Sequence, residues 1–411
     1  MDNIRHRGGT RAPVNNRSHP RNKITPKSKR AAVKQPRERL AKFDIPFFII
    51  ILILSVFGLV MLLSASSSFA AREFGNSHHF FNNQLGFAVA GLAVMIVVSF
   101  VPYRIFLDRR ILTLVIVGSI VMMIAVFTPL GVTQGGARRW LGLAGITFQP
   151  SEVMKFALIV VLGYIVHKHP EYLKNHRRGF SGFFLFGIII GLACILTVTQ
   201  RHLSGTIIMF AIGVTLMFVS PVRTKYVAIA IGVLILGVVI APPILESVGF
   251  NHFEARLLSW RNPEADITDR TFQTYQSLVT IGSGGWFGLG LGNSRQKFSY
   301  LPATHNDFVF SVICEELGFV GGVLVLILFV VFILRGFYIA AHARDRFGMM
   351  LATGISAQIG IQAFLNIAVV TNSVPNTGIT LPFFSYGGTA IVMLMAQLGV
   401  LLNISRKAAI K

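Results

Sequence analysis

The sequence predicts an all-α polytopic membrane protein, and three observations carry that expectation. Hydrophobic residues make up 53% of the 411 residues and charged residues only 13%, too little polar surface for a soluble chain of this length. Apolar runs recur at about 20 residues, the length a helix needs to cross a hydrocarbon core of ~30 Å. Lysine and arginine are divided unequally between alternate loops, as orientation in a bilayer requires.

Ten spans are expected, at about 45–65, 83–102, 111–131, 149–166, 180–199, 203–220, 224–243, 307–334, 348–371 and 381–403. With both termini cytoplasmic, the inner segments hold 28 Lys and Arg, the outer segments 9, and Lys155 falls within a span. The positive-inside pattern fixes that orientation and leaves one long outer loop, 244–306, between spans seven and eight. It also accounts for the net charge of +22 without a nucleic-acid partner.

Residues 1–43 are basic and nearly free of aromatics, and are expected to form a disordered cytoplasmic tail that leans on anionic lipid or meets a cytoplasmic partner. The membrane domain then covers 44–405, followed by a short cytoplasmic end, 406–411. A cleavable signal peptide is not expected, because the run at 45–65 is too long and further spans follow. Cys194 and Cys314 fall in predicted spans and read as small packing residues. The outer loop 244–306 is rich in aromatics, Trp260, Trp286 and Tyr275 among them, which argues for order. Its Gly-rich centre, IGSGGWFGLGLGNS (281–294), does not match GxGxxG in register and predicts tight or re-entrant backbone at the membrane surface.

Asp307 is the leading candidate for chemistry. It stands where a polar stretch with His305, Asn306 and Lys297 runs into an apolar span, and can be a general base or the cap of the following helix. Glu315 and Glu316 lie two to three turns further on and must face protein or water; they lock helices together or take part in chemistry. Glu152 and Lys155 share one helix face, after Pro150 in a helix first turn and Ser151 as a candidate cap. They form an internal ion pair, or Lys155 lies beneath an anionic substrate group. Arg138 and Arg139 with Trp140 place two guanidinium groups and an aromatic at the outer surface, for anchoring or for phosphate. Arg256, Arg261 and Arg270 add outer cations that suit an anionic substrate or pair with Glu254, Glu264, Asp266 and Asp269. The turn VPNTGITLPFFSYGGTA (374–390), which contains Ser385 and Gly387, has too much Pro and Gly for a span interior and predicts a broken helix lining a cavity. Gln358, Gln362 and Asn366, spaced by four, form an inward polar stripe.

GARRWLGLAGITFQPSEVMKFAL (136–158), FQTYQSLVTIGSGGWFGLGLGNSRQKFSYLPATHNDFVFSVICEELGFVGG (272–322) and NTGITLPFFSYGGTAI (376–391) closely resemble the SEDS family of cell-wall proteins, over about residues 45–405. The family includes FtsW, RodA and SpoVE, and the QK..YLP spacing is more like the FtsW and SpoVE branch. The resemblance implies a ten-span fold and a peptidoglycan glycosyltransferase that polymerises lipid II on the outer face of the bacterial cytoplasmic membrane, at the septum for a division member. It implies a class B penicillin-binding protein and other divisome proteins as partners. It puts the essential acid at Asp307, acting directly or through a bound divalent cation, Mg or Mn, with no organic cofactor. Glu152, Lys155, Arg139, Trp140, Glu315 and Glu316 fall on family motif positions. Arg139, Lys155, Glu152, Arg256, Lys297 and His305 are then expected at the sugar and pyrophosphate, with Ser385 and Gly387 in support. Two departures stand out. HTDF reads HNDF here, which leaves Asp307 in place. Many members carry Q-P-D-x-G-T where this chain has QRHLSGT (200–206), so that loop is assigned no catalytic part. The alternatives are a lipid II flippase, a sporulation-specific member of the family, and a division scaffold that only recruits partners.

Overall fold

The structure, a computed structural model, describes residues 44–134, 137–143, 146–170, 179–222, 225–232, 252–265, 271–296 and 304–408. The expected tail 1–43 lies outside these, as do Lys297, Asp266, Asp269 and Arg270. The chain is a helical membrane protein with eleven principal helices among the described residues: α1 Ile45–Phe74, α2 His79–Phe100, α3 Arg109–Ala125, α4 Pro150–Lys168, α5 Gly179–Thr199, α6 Leu203–Val219, α7 His252–Arg261, α8 Phe272–Ser283, α9 Val309–Ala341, α10 Arg346–Val370 and α11 Gly388–Lys407. Seven of them are long and apolar enough to cross a membrane, and α6 is apolar but shorter. Of the expected seventh span, residues 225–232 are helical and 233–243 lie outside the described residues.

Three span limits change for local reasons. The first helix runs on to Phe74, and its 30 residues measure about 45 Å, some 15 Å more than the hydrocarbon core. The third stops at Ala125, shortly before Pro129, rather than at 131. The last begins at Gly388 rather than 381, because Pro382 and a left-handed Phe383 at φ 70° keep the preceding residues out of a helix. Residues 131–148, read as span end and loop, hold a three-stranded antiparallel meander: β1 Gly131–Gln134, β2 Ala137–Leu143 and β3 Ile146–Phe148. Val132 pairs with Trp140 and Leu141 with Phe148.

Both ends of the membrane domain meet at one face of the bundle. The Asp44 amide donates to Ser405 Oγ at 3.3 Å, and Arg335 Nη2 pairs with Asp44 Oδ2 at 2.8 Å. Arg104 Nη2 and the Tyr103 hydroxyl both reach Asp345 Oδ2 at 2.9 Å on the same side of the bundle. At the core, α10 contacts α4, α6, α9 and α11 and is buried along most of its length. The α2–α11 seam is close because Gly91 and Gly399 leave no side chain there; a Cβ on Gly399 would sit 2.6 Å from Met95 O.

Two turns into α9 the helix breaks at Gly318, φ 69°. The break frees carbonyls, and the Gly-rich loop takes them: Leu289 N donates to Glu315 O and Gly290 N to Glu316 O, both at 2.9 Å. Phe319 N returns a bond to Gly285 O at 2.9 Å. Irregular backbone at membrane depth is thereby satisfied inside the protein. The Glu315 and Glu316 side chains complete the clasp. Glu316 accepts from Ser64 Oγ at 2.6 Å and Ser294 N at 3.3 Å, and Glu315 accepts from Arg295 N at 3.0 Å and from Ser294 Oγ.

A Cβ at position 318 would lie 2.4 Å from Gly288 N and Trp286 O, on top of a left-handed penalty of ~1–2 kcal/mol. Gly318→Ala is therefore expected to lower the melting temperature in detergent by several degrees and to speed amide exchange in 284–294. An unchanged melt and exchange pattern would contradict this clasp.

Candidate active site

At the opposite end from the Asp44–Arg335 pair lies a cavity of about 830 Å³. Phe69, Phe74, Phe80 and Phe87 of α1 and α2 give it an apolar wall, and Gly378, Ile379, Thr380 and Tyr386 from the turn before α11 give it another. Asp307, His305 and Asn306 enter from the start of α9, Arg139 and Trp140 from β2, Glu152 and Lys155 from α4. The broken helix predicted over 374–390 is thus seen as an irregular cavity-lining segment, with α11 starting at its end.

The polar stripe of α10 holds that segment in place. Asn366 Nδ2 donates to Ile379 O at 2.6 Å and to Asp307 O at 2.8 Å. Gln362 Nε2 donates to Thr380 O at 3.1 Å. Ser385 is buried behind the cavity and bonds Asn306 O at 2.6 Å while accepting from Leu381 N at 2.7 Å. The Gly387 amide donates to Gln84 Oε1 at 3.1 Å, and Tyr386 N donates to His305 O at 2.8 Å.

Asp307 does not cap α9. The cap position is Phe308, with no side-chain cap bond. Among the described residues its carboxylate forms no direct ion pair, and Gly378, φ 67°, faces it so closely that a Cβ there would touch Oδ2 at 3.4 Å. Burial pushes the Asp307 carboxyl above the usual carboxylate range, against the opposing pull of Arg139 and Arg256. A carboxylate with a raised pKa and no protein partner is a ready proton acceptor.

The cations differ in how far they are already neutralised. Lys155 is 2% exposed; its Nζ pairs with Glu152 Oε2 at 2.8 Å and donates to Gln362 Oε1 at 3.0 Å. The helix that carries this pair starts at Pro150 with Gln149 in the cap position and no side-chain cap bond, so Ser151 is not its cap. Arg138 is spent on the meander, donating to Thr128 O at 2.6 Å. Its strand neighbour Arg139 lines the cavity, and its Nε is buried without a hydrogen-bond partner. Burial lowers the Arg139 and Arg256 pKa values, and Asp307 pulls both back up. Arg256, on α7, is half-buried and electrostatically coupled to Arg139 and Asp307, though it does not line the cavity. His305 stacks between Phe69 and Phe80, ring centroids 5.0 and 4.6 Å away; burial depresses it to about 4 and it stays neutral.

Glu315 and Glu316 are not at the cavity, and Lys297 lies outside the described residues. The loop QRHLSGT, given no catalytic part for want of an Asp, reaches the cavity: His202, Ser204 and Gly205 line it. A histidine and a serine in an outer turn were the available signal. Asn83, Gln149 and Tyr386 also line it and carried no distinguishing pattern. For a divalent cation the fit is partial. Among the described residues no group of three His, Cys, Asp or Glu side chains stands together. Asp307 would hold Mg or Mn only as one ligand in a set completed by substrate or water.

Removing one partner of a buried ion pair strands a charge, at about 3–5 kcal/mol. Glu152→Gln is therefore expected to destabilise the chain strongly, while Glu152→Gln combined with Lys155→Met recovers most of the loss. Thermal melts across this double-mutant cycle check it; additive losses would mean the two side chains do not act as a pair.

Comparison with known proteins fits this arrangement. Residues 45–410 match the FtsW/RodA/SpoVE family model, described as cell cycle protein. A probable peptidoglycan glycosyltransferase FtsW of Geobacter sp. (strain M18) is 36% identical over 371 residues, covering 90% of this chain and 98% of the relative. Stage V sporulation protein E of Bacillus subtilis is 37% identical over 368 residues, covering 88% and 97%. Among solved structures, a chain described under "Structural coordination of polymerization and crosslinking by a peptidoglycan synthase complex" aligns with TM-score 0.71 at 24% identity, over 89% of this chain and 98% of that one. The rod shape determining protein RodA of Thermus thermophilus aligns with TM-score 0.64 at 23% identity, over 90% and 98%. With matched sequence across the membrane domain and a shared fold, the chain belongs to the FtsW/RodA/SpoVE family.

Proposed function

We propose that the chain is a peptidoglycan glycosyltransferase that polymerises lipid II at the outer face of the bacterial cytoplasmic membrane. The observation that carries this is the Asp307 carboxylate, without an ion pair among the described residues, sharing one cavity with Arg139, whose Nε lacks a hydrogen-bond partner, beside a wall of phenylalanines. The acceptor's GlcNAc 4-hydroxyl attacks the anomeric carbon of the donor MurNAc. The new C–O bond forms as the bond to the pyrophosphate oxygen breaks, and the hydroxyl proton passes to Asp307. Opposed placement of base and leaving group inverts the anomeric centre, as in inverting glycosidases. Arg139 meets the negative charge that develops on the departing undecaprenyl pyrophosphate, with Arg256 adding to the positive field. Lys155, offset by Glu152, keeps α4 and the Gln362–Thr380 contact in register. A Mg or Mn ion, if bound, would be held by Asp307 and would supply Lewis-acid activation of the acceptor hydroxyl. The phenylalanine wall gives the lipid tail an apolar exit.

Division, with a septal location and a class B penicillin-binding protein as partner, is the setting we favour, from the relatives named FtsW and the fold shared with a chain of a peptidoglycan synthase complex. Sporulation is the second reading, since identity to stage V sporulation protein E of Bacillus subtilis is 37% and to that organism's probable FtsW 33%.

Two outcomes follow for the purified chain given lipid II. Asp307→Asn should cut polymer formation on a gel at least about 100-fold while melting no lower than wild type, because it removes a buried, uncompensated charge. Normal polymer would remove Asp307 from its role, and translocation without polymer would mark a flippase. Because the base works deprotonated and its pKa is raised, the rate should fall as pH drops, with the acid limb above the ordinary aspartate range. A limb at or below that range would contradict the burial described for Asp307.

A further inference from the structure

We propose that Arg139, His202 and the first turn of α6 form a binding site for a phosphate group, with the His202 ring donating through Nε2. The identity of the ligand, a pyrophosphate on a lipid carrier, rests on the function proposed above; the site itself does not. His202 occupies the cap position of α6 but makes no side-chain cap bond. It is 9% exposed and lines the cavity beside Ser204, Gly205, Arg139 and Lys155. Its Nδ1 is buried without a hydrogen-bond partner, as is Nε of Arg139. The Nδ1–Cε1 edge lies flat against the start of the helix, so near that a Cβ on Gly205 would fall 2.7 Å from Nδ1 and 2.8 Å from Cε1. That leaves the Nε2 edge toward the cavity.

The electrostatics select the tautomer. Burial first, and then the charges of Arg139 and Lys155, depress the ring to about 3, so it is neutral under all physiological conditions. The positive end of α6 lies on the Nδ1 side and favours a lone pair there, which puts the single proton on Nε2. A neutral histidine at a helix start that donates to developing negative charge is an established catalytic device. The first-turn amides of α6, behind the ring, have no acceptor within the helix and add the positive end of its dipole to the field at Nε2. The Ser204 hydroxyl is already engaged with Thr377 O, which ties this loop to the segment facing Asp307.

The test is binding of farnesyl pyrophosphate to the purified full-length chain, with farnesol as the control that lacks phosphate and lipid II polymerisation measured in parallel. His202→Phe is expected to weaken farnesyl pyrophosphate about tenfold and to leave farnesol unchanged. His202→Gln, whose amide nitrogen takes the place of Nε2, should restore most of the affinity. Gly205→Ala, whose methyl displaces the ring, should reproduce the loss. Wild-type affinity should stay flat from pH 7 to pH 9, because the ring does not titrate there. Equal losses for farnesol, or for His202→Gln and His202→Phe alike, would overturn the site. A wild-type chain that polymerises lipid II while His202→Phe binds normally sinks the site alone. A chain that shows the His202-dependent binding yet makes no polymer sinks the proposed reaction and leaves the site standing.

Discussion

Broken backbone inside a helical bundle has to find its hydrogen-bond partners within the protein, and the cavity depends on how α10 supplies them. One side chain, Asn366, binds the carbonyls of both Asp307 and Ile379. It thereby fixes the distance between the turn that carries the candidate base and the irregular segment opposite. Gln362 extends the same service to Thr380 and to Lys155. Because α10 is the most central helix, these amides sit on a rigid support, and the site inherits that rigidity although its own backbone is irregular.

The charges in the cavity are sorted by this frame. Lys155 is answered by Glu152 within one helix, so it adds structure more than potential. Arg139 comes from a short strand whose previous residue, Arg138, is committed to carbonyls at the end of α3. The pairing with β1 skips Arg139, because Val132 faces Trp140 and Thr133 faces Arg138, and such a bulge re-aims the side chain it carries. Asp307 pays for its position in desolvation, and the two nearby guanidinium groups offset only part of that. A buried acid left short of partners is poor for stability and useful for proton transfer.

Much of this was legible in the sequence because hydropathy and charge are read locally. All ten of the expected apolar segments contain described helical residues, and Asp307, Arg139, Glu152, Lys155 and His305 could be picked from motif blocks and from the cost of charge near a membrane. The meander was not legible: its strands are short, arginine- and glycine-bearing, and derive order from each other and from Arg138. The start of α11 was misplaced because Leu381, Phe383 and Phe384 are apolar but fill the core as an irregular segment. Asp307 could not be separated from a cap without knowing that Phe308 holds that position. Glu315 and Glu316 offered helix locking or chemistry, and only the break at Gly318 shows what they grip. The contribution of His202 was hidden by looking for a carboxylate in its loop, where the useful property is a neutral donor beside an arginine.

The meeting of Asp44 with Ser405 has a consequence for biogenesis. The cap of α1 bonds a residue of α11 made 361 positions later, and the groove of α2 receives its main packing partner only when α11 arrives. Until then small-residue surfaces and the carboxamide of Gln84 stand open to lipid, and the cavity lacks the segment that faces Asp307. Assembly therefore ends with a long-range closure instead of proceeding helix by helix. A nascent chain stalled before α11 would be inserted yet unfinished, a natural client for membrane chaperones and quality-control proteases.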